Sequence, residues 1–312
     1  MTDVSGVPPP TAPRIGFIGV GRMGLPMCAN LVAAGYAVTA GDARPERAAA
    51  VREVGADWRP TNLAVAAEAD VLLTSLPGPG EVREALLGAG GALAGLRPGS
   101  TWIDLSSSTP EVGREIAQRA TEGGVDVLEA PVGGDPAGAR AGTLRLVVGG
   151  NADVLDRHRA LLGVLGDPDR LIHVGGAGAG YTTKLLVNLL WFGQAVATAE
   201  ALLIGRRAGI ELDVLREALD GSAAATAFIH RDLDALFAGD YLTSFGLDRC
   251  CEELYGVLAL ARGLGLDGEL SALVGEMHRR ALDRYGPVDG ELLAVRLLED
   301  DAGVVLRPGS TP

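Results

Sequence analysis

The stretch IGFIGVGRMGLPMCANLVAAGY, residues 15–36, decides how this chain is read. IGFIGV (15–20) is a short apolar run of strand type, and 25–34 carries a helical pattern. Between them Gly19-Val20-Gly21-Arg22-Met23-Gly24 spells G-x-G-x-x-G. In a chain with 45 glycines that hexapeptide means little by itself; the strand before it and the helix after it give it content. Gly19 permits a tight turn, Gly21 lets backbone approach a pyrophosphate, and Gly24 allows the helix to pack closely on the strand. The helix N-terminus adds free N–H groups and a partial positive charge. The reading is a dinucleotide-binding turn; the competing reading is a purely structural glycine turn.

Asp42 closes the next predicted strand, YAVTAGD (36–42). An acid there can accept hydrogen bonds from both ribose hydroxyls of an adenosine and repels a 2′-phosphate. Ala43 follows where an NADP site would want a cation, and Arg44 compensates in part. The expected cofactor is therefore NAD, with NADP as the alternative.

From Arg14 to about residue 176 short apolar runs alternate with helical stretches: VLLTSLP (71–77), TWIDLS (101–106), VDVLEAPV (125–132), TLRLVVGG (143–150) and LIHV (171–174) read as further strands. Such alternation predicts a mostly parallel sheet with helices on both faces. After GGAGAG (175–180) the pattern changes. Residues 181–207 form one long helix candidate without proline, and only helical periodicity follows, broken at Gly209, Gly221, Gly239 and Gly286-Pro287. The expected organisation is a tail over 1–13, an α/β Rossmann-type dinucleotide-binding domain over 14–176, an all-helical domain over 177–300 that begins with the long linking helix, and a flexible tail over 301–312.

Bulk properties narrow the partners. A formal net charge of −13 argues against nucleic acid and against an anionic membrane surface. Residues 1–13, MTDVSGVPPPTAP, lack a basic region and an apolar core and read as a Pro-rich tail. The apolar run 185–204 is interrupted by Asn188, Gln194 and Glu200, so a buried helix is expected there and not a membrane span. Cys28, Cys250 and Cys251 have no metal-ligand spacing, and neither do the four histidines. No metal and a reducing cytoplasm are expected.

Lys184 and Asn188 lie four apart on the long helix, hence on one face, among Leu185, Leu186, Val187, Leu189, Leu190 and Trp191. A partly buried lysine can pass a proton at neutral pH, and an asparagine beside it can donate and accept. Solvated or capping groups are the alternative.

Taken together, four ordered motifs over residues 14–190 resemble the β-hydroxyacid dehydrogenase family, which includes 3-hydroxyisobutyrate dehydrogenase and, more distantly, 6-phosphogluconate dehydrogenase. They are the glycine segment 16–36, DLSSSTP (104–110), EAPVGGDPAGARAGTL (129–144) and GAGYTTKLLVN (178–188). The resemblance implies reversible hydride transfer between a small hydroxyacid-like alcohol and its carbonyl compound. It implies Lys184 as general acid/base, Asn188 and Ser107 around the reacting oxygen, and Leu76-Pro77 and Ser107 along the cofactor cleft. It also implies Gly133, Gly134 and Asp135 in the substrate loop, and a homo-oligomer, dimer or tetramer. An imine reductase on the same fold and a non-catalytic dinucleotide-binding protein are the alternatives.

Two departures from the family pattern bear on the substrate. Where the family loop reads A-P-V-S-G-G, this chain has Ala130-Pro131-Val132-Gly133-Gly134-Asp135. Asp135 either points inward and disfavours an anion or points outward and caps the turn before Pro136. Glu252-Glu253 stand where many members carry Lys-Asp.

Overall fold

The computed structural model describes residues 12–309. The chain divides into two compact units, Met1–Lys184 and Leu185–Pro312.

In the first unit β1 (Ile15–Ile18), β2 (Val38–Gly41), β3 (Asp57–Trp58), β4 (Val71–Thr74), β5 (Thr101–Asp104) and β6 (Asp126–Glu129) pair in parallel in the order β3-β2-β1-β4-β5-β6. Ile15 lies in register with Val38 on one side and Val71 on the other. The order reverses between β1 and β4, and in such sheets ligands bind beyond the strand C-termini at that crevice.

Successive side chains leave opposite faces of a strand, and both faces here are covered. Phe17, Val71, Leu73, Ile103 and Leu128 join one core with Met27 and Leu31 of α1 (Gly24–Ala33). Ile18, Leu72 and Trp102 join the other with Val82 and Leu86 of α4 (Pro79–Leu87) and Ile116 of α5 (Pro110–Glu122). Two short helices, α2 (Ala48–Glu53) and α3 (Asn62–Ala67), connect the early strands.

Beyond β6 the sheet departs from plain alternation. The predicted strand 125–132 breaks at Ala130-Pro131 into β6 and β7 (Val132–Gly133). Proline cannot donate to a ladder, which makes this a natural interruption. β8 (Leu144–Gly150) pairs antiparallel with both β6 and β7 and parallel with β9 (Gly166–Gly175). α6 (Pro136–Ala141) and α7 (Ala152–Leu165) fill the connections.

α8 (Ala179–Arg207) is 29 residues long, and by length and composition it could cross a membrane. In the second unit its Ala195, Ala199, Leu202 and Leu203 form one stripe that packs with Phe228, Leu233 and Leu236. α9 (Leu212–Asp220), α10 (Leu233–Ala238), α11 (Leu247–Gly263), α12 (Glu269–Tyr285) and α13 (Leu293–Ala302) complete an all-helical unit, with one π-turn at Phe228–Asp232.

The two compact units part after Lys184, within α8, whose first turn is hydrogen-bonded to strand-end carboxylates of the first unit. One expectation is corrected. The C-terminal tail is not loose over 301–309. Val304 and Leu306 are buried in the helical core, and Glu299 accepts the Leu306 N–H (2.6 Å) and an Arg307 guanidinium N–H (3.1 Å). The N-terminal stretch 1–11 and residues 310–312 lie outside the described residues.

Candidate active site

The glycine turn follows β1 as the motif requires. Gly19 has φ +95°, and a Cβ there would lie 2.2 Å from the Ser75 carbonyl oxygen, so glycine is needed on both counts. A Cβ on Gly24 would lie 1.8 Å from the Gly19 carbonyl oxygen, which is the close helix–turn contact expected. Above Gly21 the nearest atom to an added Cβ is the Arg44 guanidinium, 3.7 Å away. α1 starts after Met23 with no side-chain cap and no acid in its first turn. Among the described residues this is an open, uncapped helix N-terminus, the geometry that suits a dinucleotide phosphate.

Asp42 sits beside that turn, its side chain 7% exposed. Its Oδ2 accepts the Val20 N–H (2.9 Å), and its Oδ1 accepts the Arg44 backbone N–H and Nε–H, both at 3.0 Å. Burial pushes the carboxyl up, but the Arg44 hydrogen bonds and charge and the Val20 amide outweigh it, so Asp42 is held below the usual aspartate range. Oδ2 also takes a long bond from Arg44 Nη2 (3.5 Å), so the carboxylate opens to a ribose hydroxyl when Arg44 swings aside. Ala43 and Arg44 are exposed.

At the C-termini of β4, β5 and β6 lie the remaining loops of the first unit. Leu76 is half-buried and Pro77 exposed; the Leu76 N–H donates to Ser106 Oγ (2.9 Å). Ser107 is half-buried, and the neighbouring Ser108 Oγ is buried with no partner among the described residues. In the loop after β6, Gly133 is half-buried. Gly134 has φ +134°, and a Cβ there would lie 2.8 Å from Leu144 Cδ2. Asp135 is exposed and caps α6, its Oδ1 accepting the Gly138 N–H at 2.8 Å. Of the two orientations open to Asp135, the capping one is observed.

Lys184 is half-buried in the second turn of α8, and Asn188 lies one turn further along the same face. Asn188 Nδ2 donates to Glu253 Oε2 at 2.5 Å. Glu253 is 7% exposed, and its Oε1 has no partner among the described residues. Glu252, at the family's lysine position, accepts from Arg249 Nη1 (2.9 Å), so a cation is present on α11 although not at that position.

Asp104, Glu129 and Tyr181 all lie within the family-like motifs, yet the sequence pattern assigns none of them a role. All three are buried. Asp104 Oδ1 accepts from Thr74 Oγ1 (2.6 Å), Ser106 Oγ (2.6 Å) and Ser106 N–H (3.2 Å), and its Oδ2 accepts from the Tyr181 hydroxyl (2.8 Å). Glu129 accepts the N–H of Gly178 (2.6 Å), Gly180 (3.2 Å) and Tyr181 (3.4 Å) at the start of α8. Burial pushes both carboxyls up, more than these bonds bring them down, and Asp104 adds to the rise at Glu129. The available signal was an acid closing an otherwise apolar buried strand, which demands donors.

Comparison with known proteins gives a consistent picture. Residues 14–176 match the family described as the NAD binding domain of 6-phosphogluconate dehydrogenase. Residues 178–298 match the NAD-binding family of NADP-dependent 3-hydroxyisobutyrate dehydrogenase. The chain is 36% identical to 2-(hydroxymethyl)glutarate dehydrogenase of Eubacterium barkeri, covering 75% of this chain and 78% of that protein. It is 36% identical to NAD-dependent L-serine dehydrogenase of Pseudomonas aeruginosa, covering 67% and 70%. The structure of Mycobacterium tuberculosis 3-hydroxyisobutyrate dehydrogenase with L-serine superposes with TM-score 0.83 at 27% identity, covering 92% and 99% of the two chains. An imine reductase from Myxococcus stipitatus, 23% identical with TM-score 0.64, shares the fold.

Proposed function

The chain belongs to the β-hydroxyacid dehydrogenase family, and from that membership we propose that it interconverts a 3-hydroxy acid of the form HOCH2–CHX–COO⁻ with its aldehyde, using Lys184 as the proton-transfer group. It is an NAD(P)-dependent oxidoreductase acting on CH–OH groups. The named substrates of the similar enzymes, 3-hydroxyisobutyrate, L-serine and 2-(hydroxymethyl)glutarate, share that skeleton and differ in X.

One observation carries the assignment of Lys184: it is the sole lysine in 312 residues, the other 26 of the 27 basic Lys and Arg residues being arginine. Arginine stays protonated at any physiological pH, whereas an amine can give up its proton and take it back. A chain that meets every other need for side-chain positive charge with arginine retains one lysine, on the helix face it shares with Asn188.

The nicotinamide, when bound, takes up or returns the hydride. Gly19 to Gly24 would hold the pyrophosphate, Asp42 the adenosine ribose, and Leu76, Pro77 and Ser107 the nicotinamide side. In oxidation Lys184 Nζ, neutral, accepts the hydroxyl proton of the substrate; in reduction Lys184, protonated, donates to the carbonyl oxygen. Asn188 and Ser107 orient that oxygen, which matters because the reacting atoms must be close and aligned. Backbone of the Gly133-Gly134 turn would receive the substrate carboxylate, and Asp135, occupied as a cap, would leave that anion unopposed.

For the cofactor we favour NAD, on the acid at Asp42. Arg44, half-exposed and able to swing away from Asp42, keeps NADP usable. For assembly we propose a homo-oligomer: Leu190 on α8, Tyr255 on α11 and Leu270 on α12 are 64%, 70% and 73% exposed, apolar surface that a second copy would cover. The cytoplasm is the proposed location, in keeping with three free thiols.

Initial rates with NAD and NADP over 3-hydroxyisobutyrate, serine, 3-hydroxypropionate, glycerate and a neutral polyol test the reading. Lys184→Ala should lower kcat by a factor of about a hundred or more, with folding and cofactor binding retained. Near wild-type turnover at every pH would remove Lys184 from the chemistry. Tight NADH binding without turnover on any compound would favour a non-catalytic dinucleotide-binding protein. Turnover confined to imines would favour an imine reductase. A solution mass of 32.0 kDa would contradict the oligomer.

A further inference from the structure

We propose that Asp104 is a positioning residue that ties the loop beside the cofactor to the helix bearing Lys184, so that one buried carboxylate sets both cofactor seating and the place of the proton-transfer group. The inference rests on the reading of Lys184 given above.

The hydrogen bonds run in one direction. Trp102 Nε1–H donates to Thr74 Oγ1 (3.0 Å), so the Thr74 hydroxyl proton is turned toward Asp104. The Leu76 N–H donates to Ser106 Oγ, so the Ser106 hydroxyl proton is likewise turned toward Asp104. The Tyr181 hydroxyl donates from the other side. Asp104 thus receives four donors and offers nothing in return, a role that suits a carboxylate and not an amide. Through Ser106 it holds Leu76, at the end of β4. Through Tyr181 it holds α8 one turn before Lys184.

The tyrosine has little room to move. A Cβ on Gly113 would lie 2.4 Å from its ring, and a Cβ on Gly180 would lie 2.9 Å from Glu129 Cβ. Glu129 holds the same helix start from the adjoining strand by three backbone N–H bonds. No cation pairs with either carboxylate among the described residues. Hydroxyl and amide donors from separate elements converge on each carboxylate instead, so the network fixes where those elements sit. Lys184 follows Tyr181 by three residues on a continuous helix and therefore moves with it.

Two mild variants separate this linkage from a general structural role. Tyr181→Phe keeps the ring and removes only the bond to α8. Ser106→Ala removes the hydroxyl that holds Leu76 and with it one donor to Asp104, while the Tyr181 bond to Asp104 stays. Tyr181→Phe should lower kcat about tenfold or more, as misplacement of a catalytic group does, while the NADH dissociation constant, read by fluorescence, stays within about twofold of wild type. Ser106→Ala should do the reverse, weakening NADH several-fold with kcat at saturating cofactor nearly unchanged.

Thermal unfolding of both variants accompanies the kinetics. Lowered melting temperatures with unchanged kcat in Tyr181→Phe and unchanged NADH binding in Ser106→Ala would overturn the linkage. Lys184→Ala is measured alongside. If it is inactive while Tyr181→Phe turns over like wild type, the linkage is wrong and the reading of Lys184 stands. If Lys184→Ala itself keeps its activity, that reading is wrong, and unaltered NADH binding in Ser106→Ala overturns the cofactor half of the linkage independently.

Discussion

Three acids of the first unit sit at or just past the C-terminal ends of parallel strands: Asp42 after β2, Asp104 on β5 and Glu129 on β6. Their surroundings are opposite. Asp42 is paired with a guanidinium whose side chain is half-exposed, and its carboxyl is held below the usual range. Asp104 and Glu129 are sealed among hydroxyls and backbone amides, with no cation beside them among the described residues, and their carboxyls are pushed up by burial. The difference teaches what each is for. On the function proposed above, the acid that meets the ribose is kept charged by a partner whose own side chain is half-exposed and able to move aside. An acid that holds loops in place is enclosed and surrounded by donors that cannot leave.

The largest expected effect of breaking this contrast is at Asp104. Asp104→Ala leaves the hydroxyls of Thr74, Ser106 and Tyr181 without their acceptor, and each buried unsatisfied group costs about 1–3 kcal/mol. Destabilisation of about 3 kcal/mol or more is expected in urea unfolding. Asp42→Ala, which returns Arg44 to solvent and leaves the Val20 N–H without its acceptor, should cost less, about 1–2 kcal/mol, and should instead shift the ratio of kcat/KM with NAD to that with NADP toward NADP. Equal destabilisation by the two substitutions would erase the distinction.

A second way to sharpen the comparison is pH. Glu129 has a raised carboxyl in the folded state, so its contribution to stability is full below the ordinary glutamate value of 4.5 and is lost as pH rises through the folded value. Asp42 has a lowered carboxyl, so its contribution is present above the ordinary aspartate value of 3.8 and is lost as pH falls through the folded one. Stability measured against pH for wild type minus Glu129→Gln should therefore fall with rising pH. The same difference for Asp42→Asn should rise. Slopes of the same sign would contradict the assignment of the two environments.

The contrast also marks what could be read from sequence. The glycine turn was legible because its requirements are local: Gly19 needs a positive φ, Gly24 needs a close approach, and both lie within one strand–turn–helix. The alternation of strands and helices, and the long helix with Lys184 and Asn188 on one face, follow from periodicity in the same way. Asp104 was not legible because its partner Tyr181 lies 77 residues away. Glu129 takes its donors from a helix that begins about fifty residues later, and Asn188 takes its anchor from Glu253, 65 residues on. The placement of β8 between β6 and β7 is equally non-local. The buried tail escaped notice because Val304 and Leu306 form too short a run to show a period, and their burial depends on Glu299 accepting from Leu306 and Arg307.

The smallest expected effect concerns an acid that lies outside both classes. Asp135 stands where a glycine ends the family's substrate loop, and a carboxylate there would disfavour an anionic substrate if it faced the site. It is exposed, and its Oδ1 accepts the Gly138 N–H, the ordinary geometry of a helix N-cap. Asp135→Ala should then cost about 1 kcal/mol, the usual worth of a cap, and leave kcat/KM for a hydroxy acid within about threefold, since only 1.4 kcal/mol of binding makes a tenfold change. Asp135→Asn, which keeps the cap acceptor without the charge, should restore stability and behave as wild type. A rise of tenfold or more in kcat/KM for acids in both variants, absent for a neutral alcohol, would mean that the carboxylate turns inward when substrate binds. Asp135 would then be a charge filter on the site and not a structural cap.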